Sequence, residues 1–339
     1  MKLIRLNSFL YLFCILSVFA SCVQKPDSSV EDWDRTFINT KKLISEACLD
    51  RELILGRPFL IQYVDSSLLI YDDIGDSLFL LVDLKENDRV YRFGQKGEGN
   101  NEFLQVFAFC NMKSDSILGV YDAYKHELRE INLDKVKRGE MNFPVVFKDT
   151  LSSIKLSPTK YDAYLGLGFY ESNMLSLTDN SIGSKFFFEY PYKDSREKAI
   201  SNRLRGMAYQ GTLCSNRSLD KFLYAVCSAP IFMLFSVNKD GIEKTYELIG
   251  GYPNYVTEET GEYRSAPMSA DNKMSFTMAY ATDNYIYLLY SGKNFRDAGM
   301  DAFKANVIYQ LSWNGKPINK FETDYPLTNF CVSDNDDVL

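Results

Sequence analysis

The sequence has a single histidine, His126, in 339 residues. That removes most zinc sites and most Ser-His-Asp chemistry, both of which need imidazole as ligand or base. His126 stands in Tyr-Lys-His-Glu-Leu at the start of an alternating run, the context of a turn or strand-edge residue. Seven cysteines occur, yet no two stand in a Cys-x-x-Cys pair. Neither a zinc ribbon nor a disulfide framework is indicated in a chain long enough to bury a large core. There is no basic excess: 38 Lys and Arg face 45 Asp and Glu, for a net charge of −7. A nucleic-acid footprint is thereby excluded. Helical periodicity is scarce as well. It is confined to Glu31–Glu46, where Asp32 or Asp34 would cap and Trp33, Phe37 and Ile44 would form an apolar stripe.

No apolar run is long enough to cross a membrane. The longest, Phe9–Ala20, follows a basic start with Lys2 and Arg5. A spanning helix needs about 20 apolar residues, so this reads as a signal peptide covering residues 1–21. It ends in Val18-Phe19-Ala20-Ser21-Cys22, which resembles a lipobox. There the Cys22 thiol would take a diacylglycerol by thioether formation. Phe19 stands where Leu is commonest. Removing residues 1–21 takes the charge from −7 to −9, because they carry Lys2 and Arg5 and no acid. Residues 22–49 read as a lipid-anchored tether with a short helix. Val23, in place of Asp after the lipidated cysteine, favours the outer membrane, on either face. Of the other cysteines, Cys14 leaves with the signal. Cys48, Cys110, Cys214, Cys227 and Cys331 remain, mostly in apolar runs where a thiol packs as a small hydrophobe. One disulfide stays open in an oxidising compartment.

The rest of the chain is rich in β-favouring aromatics, with 23 Tyr and 24 Phe. Short apolar runs alternate with turns of Asp, Asn, Gly, Ser and Lys, the pattern of an all-β fold. A repeat of propeller length runs through it. One recurring piece is a strand ending in Asp: Ser67–Asp72, Ile117–Asp122 and Met174–Asp179. The expected blades are 58–94, 103–149, 161–200, 205–250 and 274–323. A sixth would begin at 327–335 and take its outer strand from Glu52–Gly56. This gives a six-bladed β-propeller over residues 50–339, the last blade incomplete at the C-terminus.

Residues Arg92-Phe-Gly-Gln-Lys-Gly-Glu-Gly-Asn-Asn-Glu-Phe103 resemble the glycine-rich segment after the first blade of TolB-like six-bladed propeller lipoproteins of Bacteroides-type bacteria. Gly56 and Pro58–Asp72 fit the opening of that family, and the match is good over 50–135. Asn100-Asn101 replaces its usual Pro-Gly. The resemblance implies fold and location, and no activity. The glycine-rich string lacks the Lys-Ser/Thr pair and following helix of a phosphate loop.

Nothing in the sequence pairs carboxylates for glycoside hydrolysis. Ser236–Gly241 is the string nearest a sialidase box, and its spacing is wrong. Most Asp residues end strands, where they cap backbone amides. Lys198, Arg203 and Arg205 read as a solvated loop. The leading expectation is a non-catalytic binding or scaffold propeller of the cell envelope, holding a protein, peptide or glycan. It needs no cofactor, no nucleic acid, and meets the membrane through its lipid. The alternative is a propeller hydrolase or lyase with carboxylates, and calcium, in the central channel. A third reading is a structural partner of an outer-membrane transport complex. The long connections Gly251–Asn272 and Ser291–Lys304 would share one face, since D–A and B–C connections leave a propeller on the same side. Loops of this length in a compact domain are usually functional or disordered. Tyr252, Tyr255, Tyr263, Arg264, Phe295 and Arg296 are the candidate binding residues there. A Cys22→Ser chain should lose lipid and leave the membrane fraction; normal processing with retained membrane association would refute the anchor.

Overall fold

The computed structural model describes residues 29–46, 55–74, 77–85, 89–179, 183–260 and 263–338. Cys22, residues 1–21, Cys48 and residues 52–54 lie outside them. Helix α1 (Val30–Asp34) and strand β1 (Thr40–Leu43) come first. Four antiparallel strands then make the first blade: β2 (Pro58–Val64), β3 (Ser67–Asp72), β4 (Phe79–Asp83) and β5 (Arg89–Phe93). A short parallel pair follows, β6 (Gln95–Lys96) with β7 (Glu102–Phe103). The second blade is β8 (Val106–Asn111), β9 (Ile117–Asp122), β10 (Glu127–Asn132) and β11 (Val145–Lys148), with helix α2 (Leu133–Lys137) before its last strand. The third is β12 (Lys155–Pro158), β13 (Ala163–Leu167), β14 (Leu175–Asp179) and β15 (Gly183–Phe187).

Two helices, α3 (Ser195–Lys198) and α4 (Asn202–Ala208), lead to the fourth blade: β16 (Gly211–Ser215), β17 (Lys221–Val226), β18 (Ile231–Val237) and β19 (Ile242–Ile249). A hairpin, β20 (Glu258–Thr260) and β21 (Tyr263–Ser265), precedes the fifth blade. That blade is β22 (Phe276–Ala281), β23 (Tyr285–Tyr290), β24 (Ala305–Ser312) and β25 (Pro317–Leu327), with helix α5 (Phe295–Ala298) and a 3-10 turn (Gly299–Phe303) between β23 and β24.

The polarity of each strand follows from its place. Central strands are covered on both faces by neighbouring blades, so they read as continuous apolar runs. Every residue of β3 and β4 is buried. Outer strands face water and are polar, as in β15, where four of five residues are exposed. The first hairpin turns at Asp65-Ser66, both with positive φ (43° and 56°). That is the primed turn whose twist matches a hairpin, placed one residue before the expected Ser66-Ser67.

The strand-ending Asp residues are backbone clamps. Asp72 accepts from the amides of Gly56 at 2.6 Å and Arg57 at 2.7 Å. Asp122 accepts from Leu104 at 2.6 Å and Gln105 at 3.2 Å, and from Tyr124 and Lys125. Each clamp ties the end of a second strand to the chain entering the first. Burial alone would raise the Asp72 carboxyl, but the amides of Arg57, Gly56 and Ile74 outweigh it and hold the carboxyl below its ordinary value.

Three expectations need correction. The third blade spans 155–187, and residues 190–209 carry α3 and α4 instead of an outer strand. Asp194 caps α3 through Arg196 and Glu197, and Ser201 caps α4 through Leu204. The N-terminal helix is only Val30–Asp34. Its Trp33 and Phe37 pack as anticipated, against Tyr309 with ring centroids 4.7 Å away in each case. Ile44, by contrast, is exposed, and Thr40–Leu43 is a strand. That strand adds in parallel to the outer edge of β25, making the last blade five-stranded; of the outer strand expected for a sixth blade at 52–56, residues 52–54 lie outside the described residues. Between the last and first blades, residues 328–338 form a single bridge, Val332 with Val338. The buried Phe330, Cys331 and Val332 there pack with Leu68 and Leu80 of the first blade and Tyr287 and Leu289 of the last.

The glycine-rich segment folds on itself. Gly94 has φ +73°, and a Cβ on it would lie 2.4 Å from the Phe79 ring. Gly99 donates to Glu102 at 2.8 Å. Gly94→Ala should therefore destabilise the fold by about 1–3 kcal/mol through backbone strain alone, read as a lowered urea midpoint with unchanged slope.

Candidate functional site

The inner strands β2, β8, β12, β16 and β22 surround a channel holding a cavity of about 80 Å³, open to solvent. Its wall is largely apolar, with Leu60, Phe107, Leu213 and Met278. Toward the face of the short A–B turns it narrows. There Asn111 Nδ2 donates to Ser215 O at 3.1 Å and Gln62 Nε2 to the Tyr280 hydroxyl at 3.0 Å. Past this constriction a second cavity of about 250 Å³ holds Arg217, Asp115, Asp283 and Asp334. Arg217 lies 3.7 Å from Asp115 and 3.8 Å from Asp334.

The channel is chemically simple. Its lining includes one charged side chain, Lys155, and two thiols, Cys110 and Cys214, with no Asp or Glu among the described residues. Burial pushes the Lys155 amine down to about 8 and the Cys214 thiol up to about 12, and it raises Cys110 as well. Among the described residues, no group of three His, Cys, Asp or Glu is placed to hold a metal. The channel thus presents an amine and protonated thiols, where a calcium-dependent lactonase would need converging carboxylates. Cys110, Cys214, Cys227 and Cys331 are free thiols, and His126 sits on a turn with φ 55°.

The face carrying the D–A and B–C connections is built from three segments. In the first, Asp194 accepts from the Arg196 and Glu197 amides, while Glu197 accepts from the Lys193 amide. Asp194 thus caps α3, and Glu197 reaches back to the residue before the cap. Glu197 also accepts from the Tyr209 hydroxyl at 2.9 Å and from the Tyr255 hydroxyl at 2.8 Å. Arg205 is buried, pairs with Glu189 at 3.1 Å and lies over the Tyr192 ring. It is not part of a solvated loop.

The second segment, 251–272, holds four of the candidate residues. Tyr255 is half-buried, bridges to Met268, and packs on the core of the third and fourth blades. Tyr252 and Tyr263 are 37% and 62% exposed. Arg264 is engaged within its own hairpin, Nε to Glu259 at 2.8 Å. The third segment, 291–304, carries Phe295, 47% exposed, and Arg296. Arg296 forms a two-pronged pair with Asp271, with Nη2 2.9 Å from Oδ2. Lys273 and Asn294 bridge the same two segments. The fold therefore joins 251–272 to 291–304 through Arg296, and to α3 through Tyr255.

Lys155, Glu197, Arg205 and Asp271 did not emerge from the sequence as candidates. The Asp-Ser-Arg-Glu capping pattern at 194–197 was a readable signal for α3. A lysine inside Ile154–Pro158, otherwise short and weakly polar, was a readable signal for the channel. Removing Glu197 leaves the buried Tyr209 hydroxyl without its acceptor, a loss of about 1–3 kcal/mol. Glu197→Ala should lower the melting temperature and speed amide exchange in 252–256 over the rest of the propeller.

The chain matches the TolB-like 6-blade propeller-like family over residues 36–335. No curated protein matches the sequence. Among solved structures, an exported protein of Bacteroides fragilis aligns with a TM-score of 0.50 at 11% identity, over 87% of this chain and 85% of that one. A DUF4221 family member from Bacteroides vulgatus aligns at 0.48 and 11%, over 84% and 87%. At these identities the likeness concerns the fold. Five closed blades, the terminal segment between last and first, and the family match over most of the chain lead to one assignment: the chain belongs to the TolB-like six-bladed propeller family.

Proposed function

We propose that this is a cell-envelope lipoprotein, anchored through Cys22 in the outer membrane, whose D–A and B–C face holds a protein, peptide or glycan partner without transforming it. One observation carries the reading. Two long connections are pinned to each other by the Arg296–Asp271 pair, and Lys273, directly after the first of them, bridges to Asn294 of the second. They present Tyr252, Tyr263 and Phe295 to solvent from that joined base. Preorganised aromatic side chains lower the entropy lost on binding and are favoured at interface centres. Export of the Bacteroides fragilis protein of similar fold agrees with an envelope role. The hydrolase alternative is less favoured, because the described channel lining supplies no carboxylate pair.

The test uses Tyr252→Ser, Tyr263→Ser and Phe295→Ser together, on a lipidated chain in its native envelope. Exposed substitutions of this kind change stability by about 0.5 kcal/mol or less each, so folding is expected to persist. Cross-linked partner capture should fall tenfold or more. Undiminished capture, with an unchanged melting temperature, would refute the face assignment.

A further inference from the structure

Lys155 is the one charged side chain lining the channel, and among the described residues it has no carboxylate partner. Its Nζ donates to the Phe107 carbonyl, and it lies 5.9 Å from the centre of the Phe107 ring. An ammonium has three donors, so two remain for a ligand. The contrast with the other cations near the axis is clear. Arg217 is shared between Asp115 and Asp334, and Arg205 is paired with Glu189. An ammonium held in a mostly apolar channel without a counter-ion is electrostatically incomplete, because its water is only partly replaced.

We propose that the channel beside Lys155 is a binding site for a small monocarboxylate, its carboxyl group paired with the Lys155 ammonium and its body lying against Leu60, Phe107, Leu213 and Met278. The single cation selects the charge of the ligand. A phosphate ester carrying close to two charges would bring more negative charge into the channel than one ammonium can compensate. The cavity, about 80 Å³, limits the ligand to a short-chain acid of the size of acetate or propionate. Lys155 begins β12, so the site opens on the same face as the D–A connections, yet it uses none of the aromatic residues of that face.

The titration of the site follows from its surroundings. From β8 and β16 the neighbouring titratable groups are Cys110 and Cys214, and from β22 Tyr280. Burial raises all three, so they are neutral at physiological pH. From β2 come Leu60, Ile61 and Gln62, none of which titrates. Lys155 itself titrates near 8 because it is buried. Only the ammonium attracts a carboxylate. Affinity is therefore full below that value and falls as the pH rises through it. A site on exposed lysines would hold to about pH 10.

The experiment is calorimetric titration of the mature, delipidated full chain with acetate and propionate, each against its uncharged amide. At least one acid is expected to bind, tenfold or more tighter than its amide. Binding should weaken at least fivefold between pH 6.5 and pH 9. Lys155→Met removes the charge while keeping a flexible apolar stem; it should melt no lower than the parent and lose the preference for acid over amide. The triple variant Tyr252→Ser, Tyr263→Ser, Phe295→Ser should bind the acid like the parent, which separates this site from partner capture. The proposal is overturned if neither acid binds, if Lys155→Met binds as well as the parent, or if binding is unchanged to pH 9. The last result would hold even if Lys155→Met failed to fold.

Discussion

The join between the last and first blades is the constraint on which the rest of the structure depends. Only when its ends meet does a ring of blades cover the apolar faces of its first and last sheets, which would otherwise stay open to water. Here the ends meet through side chains. Phe330, Cys331 and Val332 fill the space between Leu68 and Leu80 on one side and Tyr287 and Leu289 on the other. The N-terminal segment reinforces the last blade from outside. Trp33 packs against Phe37, Phe232, Phe276 and Tyr309, and β1 extends the sheet at β25. Residues separated by almost the whole chain thus hold the same blade.

With the ring closed, the inner strands keep fixed spacing and the channel acquires its chemistry. Aromatic side chains fill the wedges between blades. Phe79 contacts Tyr71, Phe93, Phe103 and Phe109, with centroids 4.9–6.2 Å apart, arrangements that add to plain burial. The Asp72 and Asp122 clamps set where each loop leaves its blade. Hydrogen bonds to a charged acceptor are worth about 1.5–3 kcal/mol each, enough to make loop exit points part of the scaffold. The face of the D–A and B–C connections is therefore built on fixed bases, although its tips are exposed.

The two proposed recognition surfaces differ in character. The loop face is broad, aromatic and held by ion pairs at its base. The channel is narrow, apolar and carries one amine. An acidic chain does not attract anions at long range, but ionic screening limits that field to about 8–10 Å, so a local amine within a channel can act independently of the net charge.

Much of the architecture was legible in the sequence because β-strands in stacked blades obey local rules. Apolar runs bounded by turn residues located the blades, and the Asp residues ending the second strands at 72 and 122 marked their rhythm; Asp179, expected to be a third copy, ends the third strand of its blade. Gly94 announced its turn because few other residues tolerate a positive φ against an aromatic ring. The long connections carrying Tyr252, Tyr255, Tyr263, Arg264, Phe295 and Arg296 were visible from length and composition. Their attachments were not. Asp271 lies 25 residues before Arg296, and Glu197 lies 58 before Tyr255, and no local pattern specifies such pairs. The parallel pairing of Thr40–Leu43 with β25 was equally hidden, since strand order is set by which edges remain open after the other sheets have formed. Lys155 could be read as a strand residue. Only the ring of five inner strands made it the lone charge of a channel, because an uncompensated amine is defined by what surrounds it.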